Sequence, residues 1–258
     1  MTTLPPAISV QALTKRFAGP AGDTVALQDA TLSVAPGEFV CLIGASGCGK
    51  STLLRIIAGF ETATSGAVVV RGKAVQGPGP DRGMVFQDYG LFPWLSVRRN
   101  IAFGPESRGK GKTEVAETTR RFLDMIGLAA FADAYPHQLS GGMKQRVAIA
   151  RVLANDARVV LMDEPFGALD AMTRERLQDE LLALWASTGL TVVFVTHAIE
   201  EAIFLADRVV VMSPGPGRIV RDVRIGLPRP RDVSSPEFNT LRRELSALLH
   251  SYHARNGP

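Results

Sequence analysis

The stretch Phe39-Val40-Cys41-Leu42-Ile43 followed by GASGCGKST, residues 44–52, decides how this chain folds. Five consecutive apolar residues predict a buried strand, and the glycine-rich turn after it feeds the apolar-faced helix of Leu53, Leu54, Ile56 and Ile57. A strand, a glycine turn and a helix in that order cradle a polyphosphate. Gly44, Gly47 and Gly49 let the backbone turn tightly, so that N–H groups along Ala45, Ser46, Cys48 and Thr52 converge on one anion at the positive end of the helix. Lys50 is placed to reach the β- and γ-phosphates, and Ser51 to put its hydroxyl on Mg²⁺. Cys48, inside the loop, is expected to be shielded by bound nucleotide, and a bulky thiol reagent on it to block ATP binding.

Working outward, apolar runs recur at 159–162, 191–195 and 209–212, with a helical stretch carrying Leu177, Leu181 and Leu184 between the first two. Apolar strands alternating with helices imply an α/β fold with a mostly parallel sheet covered on both faces. The first 35 residues instead read as short alternating strands joined by turns, an antiparallel β-subdomain. From 88 to 157 the character becomes helical, an insertion between the halves of the sheet. Within it Thr113 is expected to cap a helix running through Val115, Thr119, Phe122, Leu123 and Ile126. The glycine-rich 105–112 reads as a surface loop. A last amphipathic helix opens at Ser235-Pro236, with Phe238, Leu241, Leu245 and Leu248 on its apolar face. The division is thus 1–87 with 158–218 as the nucleotide-binding core, 88–157 as the helical part, and 219–258 as a short tail.

At 258 residues, 46% hydrophobic and 21% charged, the chain has an ordinary globular balance. No run of residues is long and apolar enough to span a membrane, and the start, MTTLPPAISV, lacks the pattern of a signal peptide, so a cytoplasmic protein with at most peripheral membrane contact is expected. Two cysteines supply neither a metal pattern nor a disulfide framework. The net charge of +4 lies in the tail, where residues 218–258 hold eight Arg against four Asp or Glu. With the rest of the chain balanced, no basic face for nucleic acid is expected. The tail reads either as solvated or as weakly attracted to anionic lipid or a permease loop.

Two further features make the phosphate loop part of a machine. The run 159–162 ends in Asp163-Glu164, two carboxylates at the carboxyl end of a parallel strand, where ligands of open α/β sheets bind. Asp163 suits Mg²⁺, and Glu164 suits orienting or deprotonating the attacking water. Upstream, LSGGMKQR, residues 139–146, opens a long helix: Ser140 caps it, while Gly141 and Gly142 leave its first N–H groups bare, a second anion-facing end. One chain with two such ends is suited to closing on nucleotide held by another copy.

These motifs, in this order, resemble the ATP-binding cassette family, specifically the nucleotide-binding subunits of bacterial importers. The resemblance runs from about residue 8 to residue 219. GASGCGKST looks like its Walker A segment, LSGGMKQR its signature, and VVLMDEP, residues 159–165, its Walker B segment. It implies a P-loop fold, ATP and Mg²⁺ as cofactors, and ATP hydrolysis coupled to import. Gln87 would be the Q-loop glutamine, a catalytic and Mg²⁺-binding residue, and Ala168-Leu169-Asp170 the D-loop. His197 would be the catalytic switch histidine and Phe17 the aromatic that stacks on adenine. Met143 departs from the commonest signature, which carries Gln there.

The implied partners are a second copy of the chain, integral membrane permease subunits, and a periplasmic or extracellular substrate-binding protein, at the cytoplasmic face of a bacterial inner membrane. GPGPDRGMVFQ, LFPW and DEPFGALDAMTRE look most like the nitrate, sulfonate and taurine branch. The aromatic cluster Phe92, Trp94 in LFPW is expected to receive a permease helix or to form a private core. The alternative function is a related ATPase working outside transport, in chromosome maintenance or as an ATP sensor. No heptad run of the kind the chromosome proteins carry is present.

Overall fold

The computed structural model describes residues 5–20, 22–167 and 169–256, the last four without side-chain detail. The D-loop residue Ala168 therefore lies outside the described residues. The chain divides into two compact units, Met1–Pro78 with Gly189–Pro258, and Gly79–Thr188.

The first unit holds two sheets. An antiparallel sheet is built from β1 (Ile8–Phe17), β2 (Thr24–Val34), β4 (Ser65–Val70) and β5 (Lys73–Ala74), in the order β2-β1-β4-β5. In the other, β3 (Phe39–Gly44) lies between two parallel neighbours, β8 (Thr191–Val195) and β9 (Arg208–Met212), and β10 (Ile219–Arg224) runs antiparallel along β9. Every residue of β3 and β8 is buried, as continuous apolar runs require when both faces of a sheet are covered. Three helices complete the unit: α1 (Lys50–Ala58), α6 (Ile199–Leu205) and α7 (Pro236–Asn256). In α7 the apolar stripe resolves into two fully buried anchors, Phe238 and Leu245.

The second unit is helical around a parallel pair, β6 (Arg82–Val85) and β7 (Val159–Asp163). It contains α2 (Val97–Ser107), α3 (Lys112–Met125), α4 (Gly141–Ala154) and α5 (Ala171–Thr188). Gly83 is required here, because a Cβ on it would stand 2.1 Å from Val152 Cγ1 of α4.

Two expectations are corrected. Residues 105–112 are not all loop: α2 continues through Pro105 to Ser107, and Arg108 and Lys110 are then tied to Asp156 by ion pairs of 3.1 and 2.8 Å. Thr113 is not a cap, since α3 begins one residue earlier, at Lys112, with Gly111 as its N-cap. The expected face is present, with Val115, Thr119, Phe122 and Leu123 buried.

Candidate nucleotide site

The phosphate loop leaves β3 at Gly44, which sits so close to β9 that a Cβ would stand 2.7 Å from the Met212 carbonyl oxygen and from Cys48 Sγ. Gly47 and Gly49 take φ values of +76° and +90°, the left-handed region that an L side chain rarely adopts. Gly49 is also the N-cap of α1, with no side-chain cap and no acidic residue in the first turn, so that end of the helix keeps its donors for an anion. Lys50 is buried and donates from Nζ to the carbonyls of Gly44 and Ala45 at 2.8 and 2.9 Å, which holds the ammonium against the loop. Ala45 and Thr52 are partly buried, and Ser46 and Gly47 exposed.

Cys48 departs from expectation. Its thiol is fully buried, 3.7 Å from Lys50 Nζ, and desolvation raises its pKa above the ordinary thiol value although the lysine beside it pulls the other way. The side chain packs beneath the loop and leaves the peptide groups for the phosphates. Cys41, in β3, is equally buried, and burial again pushes its thiol pKa up.

Beneath the loop lies a feature the motifs did not announce. Gly217 is held between β2 and the loop: its N–H donates to the Ala26 carbonyl at 3.1 Å, and its own carbonyl accepts from the Gln28 N–H at 2.9 Å. A Cβ on it would stand 2.1 Å from the Cys48 carbonyl oxygen. The turn around it is closed by Ser213, whose Oγ accepts from the Arg218 N–H. The glycine-proline run SPGPGR, residues 213–218, was the available signal, but a turn motif does not say what it turns against.

In the same unit β3 and β8 pair in parallel with Leu42 opposite Val195, so two residues on, Gly44 and His197 stand at the same level at the carboxyl ends of adjacent strands. The Thr196 N–H donates to the Leu42 carbonyl, and His197 itself is exposed. Phe17 ends β1 with 40% of its surface exposed and Lys15 Nζ 4.7 Å from its ring centroid, a platform rather than a core side chain.

The second unit carries the carboxylates. Val85 of β6 pairs with Met162 of β7, so Gln87 and Glu164, each two residues beyond, stand level at the carboxyl end of the pair. Gln87 is exposed and Asp163 buried. Glu164 has φ of +46°, a backbone conformation costly for a residue with a Cβ and characteristic of functional sites. The Gly167 N–H donates to its carbonyl at 3.2 Å.

At the start of α4, exposed Ser140 caps the helix by accepting from the Met143 N–H at 3.3 Å. Gly141 and Gly142 are tightly packed: a Cβ would stand 3.1 Å from the Leu169 side chain at the first and 3.0 Å from the Thr173 side chain at the second. Upstream, the loop holding Phe92 and Trp94 is pinned by buried Asn100, whose Nδ2 donates to the carbonyls of Phe92, Leu95 and Ser96 and whose Oδ1 accepts from the Phe92 N–H. Trp94 is 71% exposed, tilted against Phe92 at 5.6 Å.

The residues present fit a magnesium nucleotide. In the first unit a glycine cradle with a bare helix end and a buried lysine suits the polyphosphate, and Ser51 offers a hydroxyl oxygen; in the second unit, taken by itself, Gln87 and Asp163 offer oxygen donors of the kind Mg²⁺ prefers.

Comparison with known proteins agrees. Residues 27–167 match the family model described as ABC transporter. The chain belongs to the ABC transporter family, as an ATP-binding subunit with ATPase activity. It is 48% identical to the nitrate import ATP-binding protein NrtD of Synechocystis over 94% of each chain. The taurine import ATP-binding protein TauB of Roseobacter denitrificans is also 48% identical, over 94% of this chain and 93% of the relative. Among solved structures it is similar to the dimeric post-hydrolysis ATP-binding cassette MJ0796 bound to ADP and Pi. That likeness has a TM-score of 0.75 and 33% identity over 84% of this chain and 98% of the other.

Proposed function

We propose that this chain hydrolyses ATP as a homodimer at the cytoplasmic face of a bacterial inner membrane. In that setting it drives integral permease subunits that import a small oxyanion, taurine or another aliphatic sulfonate, or nitrate, delivered by a substrate-binding protein. The names of the relatives support the cargo class, and the dimeric solved cassette supports the homodimer. Among the described residues no helix is long and apolar enough to cross a membrane.

The observation that carries the hydrolytic assignment is the β6/β7 register, which sets Gln87 level with Glu164 beside buried Asp163. Bound ATP supplies the scissile γ-phosphate bond, with Mg²⁺ neutralising its oxygens. Lys50 and the loop N–H groups of residues 44–52 hold the phosphates, and Phe17 stacks on the adenine. Ser51, Gln87 and Asp163 hold the metal. Glu164 orients and deprotonates the attacking water, while His197 stabilises the charge that develops on the γ-phosphoryl oxygens. Residues 88–157 act as a helical arm that presents Ser140, Gly141 and Gly142 to nucleotide held by the second copy. Residues 1–87 and 158–218 form the ATP-binding core.

Glu164→Gln tests the assignment. Turnover falls by about 10²- to 10⁴-fold while ATP binding persists, and the variant accumulates as an ATP-bound dimer in size-exclusion chromatography. Near-normal turnover would remove Glu164 from the mechanism.

A further inference from the structure

The segment after β10 holds the helix that follows His197 at both of its ends. α6 has only seven residues, Ile199–Leu205, too few to be stable alone. Its last carbonyls would be orphaned where the chain leaves it as extended backbone at Ala206. They are taken instead by two arginines of the tail. Arg231, buried, donates from Nη1 to the carbonyls of Ile203, Phe204 and Ala206 at 2.6, 3.1 and 2.7 Å, and its Nε is fixed by the Leu227 carbonyl. Arg229 donates to the Leu205 carbonyl and to Asp207 Oδ1. The other oxygen of Asp207 accepts from the Phe39 N–H at the base of β3, the strand that ends in the phosphate loop. At the opposite end of α6, Arg242 of α7 pairs with Glu200 in the first turn, three residues from His197.

We infer that Arg231 is a positioning residue for His197: by holding the carbonyl end of α6 it fixes where that helix begins, and so where the histidine two residues before it stands. The reasoning is mechanical. His197 is suspended between β8, which is hydrogen-bonded into the sheet, and a helix too short to keep its own orientation. The guanidinium is held at two points, Nη1 among the three α6 carbonyls and Nε at the Leu227 carbonyl, and this rigid two-point fixing is what an ammonium on a flexible stem cannot reproduce. Burial beside Arg229 lowers the Arg231 pKa to about 10, which still leaves it charged at neutral pH.

The inference rests on the proposed catalytic role of His197, so the test separates the two. Arg231→Lys keeps the charge and loses the fork. The expected result in the full chain is a folded protein whose kcat is lowered about 10-fold and whose KM for ATP stays within about twofold. Amide exchange should quicken across residues 197–206. Combined with His197→Ala, Arg231→Lys should produce no further slowing, because it acts through the residue already removed. A folded Arg231→Lys variant with kcat within about twofold of the parent, or full additivity in the double variant, overturns the inference.

If Arg231→Lys does not fold, Arg242→Ala carries the test, since both members of its pair are solvent-accessible. There the expected sign is faster amide exchange across α6 than in the parent; unchanged exchange overturns the inference. A His197→Ala variant with full turnover would refute the role of the histidine, and the positioning role with it. A slow His197→Ala beside a fast Arg231→Lys refutes the positioning role alone.

Discussion

Gly217→Ala places one methyl group where the phosphate loop already is. The added Cβ would lie 2.1 Å from the Cys48 carbonyl oxygen and 2.9 Å from that of Ala26. Ordinary contact between such atoms is about 3.3 Å, so about 1 Å of movement is needed. The turn cannot simply retreat, because its two backbone hydrogen bonds to Ala26 and Gln28 hold it against β2, each with a net value of about 1 kcal/mol. The loop cannot simply yield either. The Cys48 carbonyl shares a rigid peptide plane with the Gly49 N–H, so pushing the oxygen turns one of the loop N–H groups that the proposed function assigns to the phosphates.

Overpacking of this kind costs about 1–3 kcal/mol. If the turn yields, the cost appears as a lower Tm with nucleotide affinity unchanged. If the loop yields, each 1.4 kcal/mol appears as about a tenfold weaker Kd. A thermal melt paired with titration of a fluorescent nucleotide reads both. We expect the sum of the two effects to lie in that range, with most of it in Kd. A variant matching the parent in both would show that Gly217 does not support the loop.

Both thiols are buried and have raised pKa values, so the native protein should be inert to a thiol reagent at pH 7–8, the two cysteines reacting only after denaturation; a fast-reacting native thiol protected by Mg-ATP would restore the view that Cys48 faces the nucleotide. Trp94→Ala should leave the melt and the basal ATPase of the isolated subunit unchanged while weakening assembly with the permease by about 2 kcal/mol. A destabilised subunit whose folded fraction still binds the permease normally would mean that the aromatic cluster is private core. Lys50→Ala and Ser140→Arg chains, each inactive alone, should regain ATPase activity when mixed if each site is shared between two copies, because one site of the heterodimer then joins the intact Lys50 of one chain to the intact Ser140 of the other while the second site lacks both. A mixture of heterodimers as inactive as either variant would show that the two residues act within one chain.

The phosphate loop was legible because each of its requirements is local. Glycine at a left-handed position, a lysine at the start of a helix and a strand before the turn are all conditions on neighbouring residues. Asp163 and Glu164 were legible for a related reason: a strand ending in carboxylates states its own direction. The direction of the Cys48 side chain was not legible, because a loop has no period from which to infer a face. It is set by Gly44, Lys50 and the volume beneath the loop. The continuation of α2 past Pro105 was hidden in the same way. The proline and glycines of 105–111 argue locally for a loop, whereas in the fold Pro105 is buried inside the helix and Gly104 packs close against Asn155, far away in sequence.

The tail shows most clearly what a charge count omits. Eight arginines against four acids suggested a solvated or lipid-attracted segment, since net charge acts at a distance and is read from composition. In the fold Arg231 and Arg229 serve as hydrogen-bond forks on the end of α6, and Arg242 as a partner for Glu200. An arginine spent on backbone carbonyls keeps its charge but is no longer available to a membrane or to another protein. The formal surplus of four therefore overstates the cationic surface of the tail, and the residues that make it up are better counted by what their donors touch. Lysine would have contributed the same net charge with none of this geometry, which is why the choice of arginine at 229 and 231 carries more structural information than the sign of the segment.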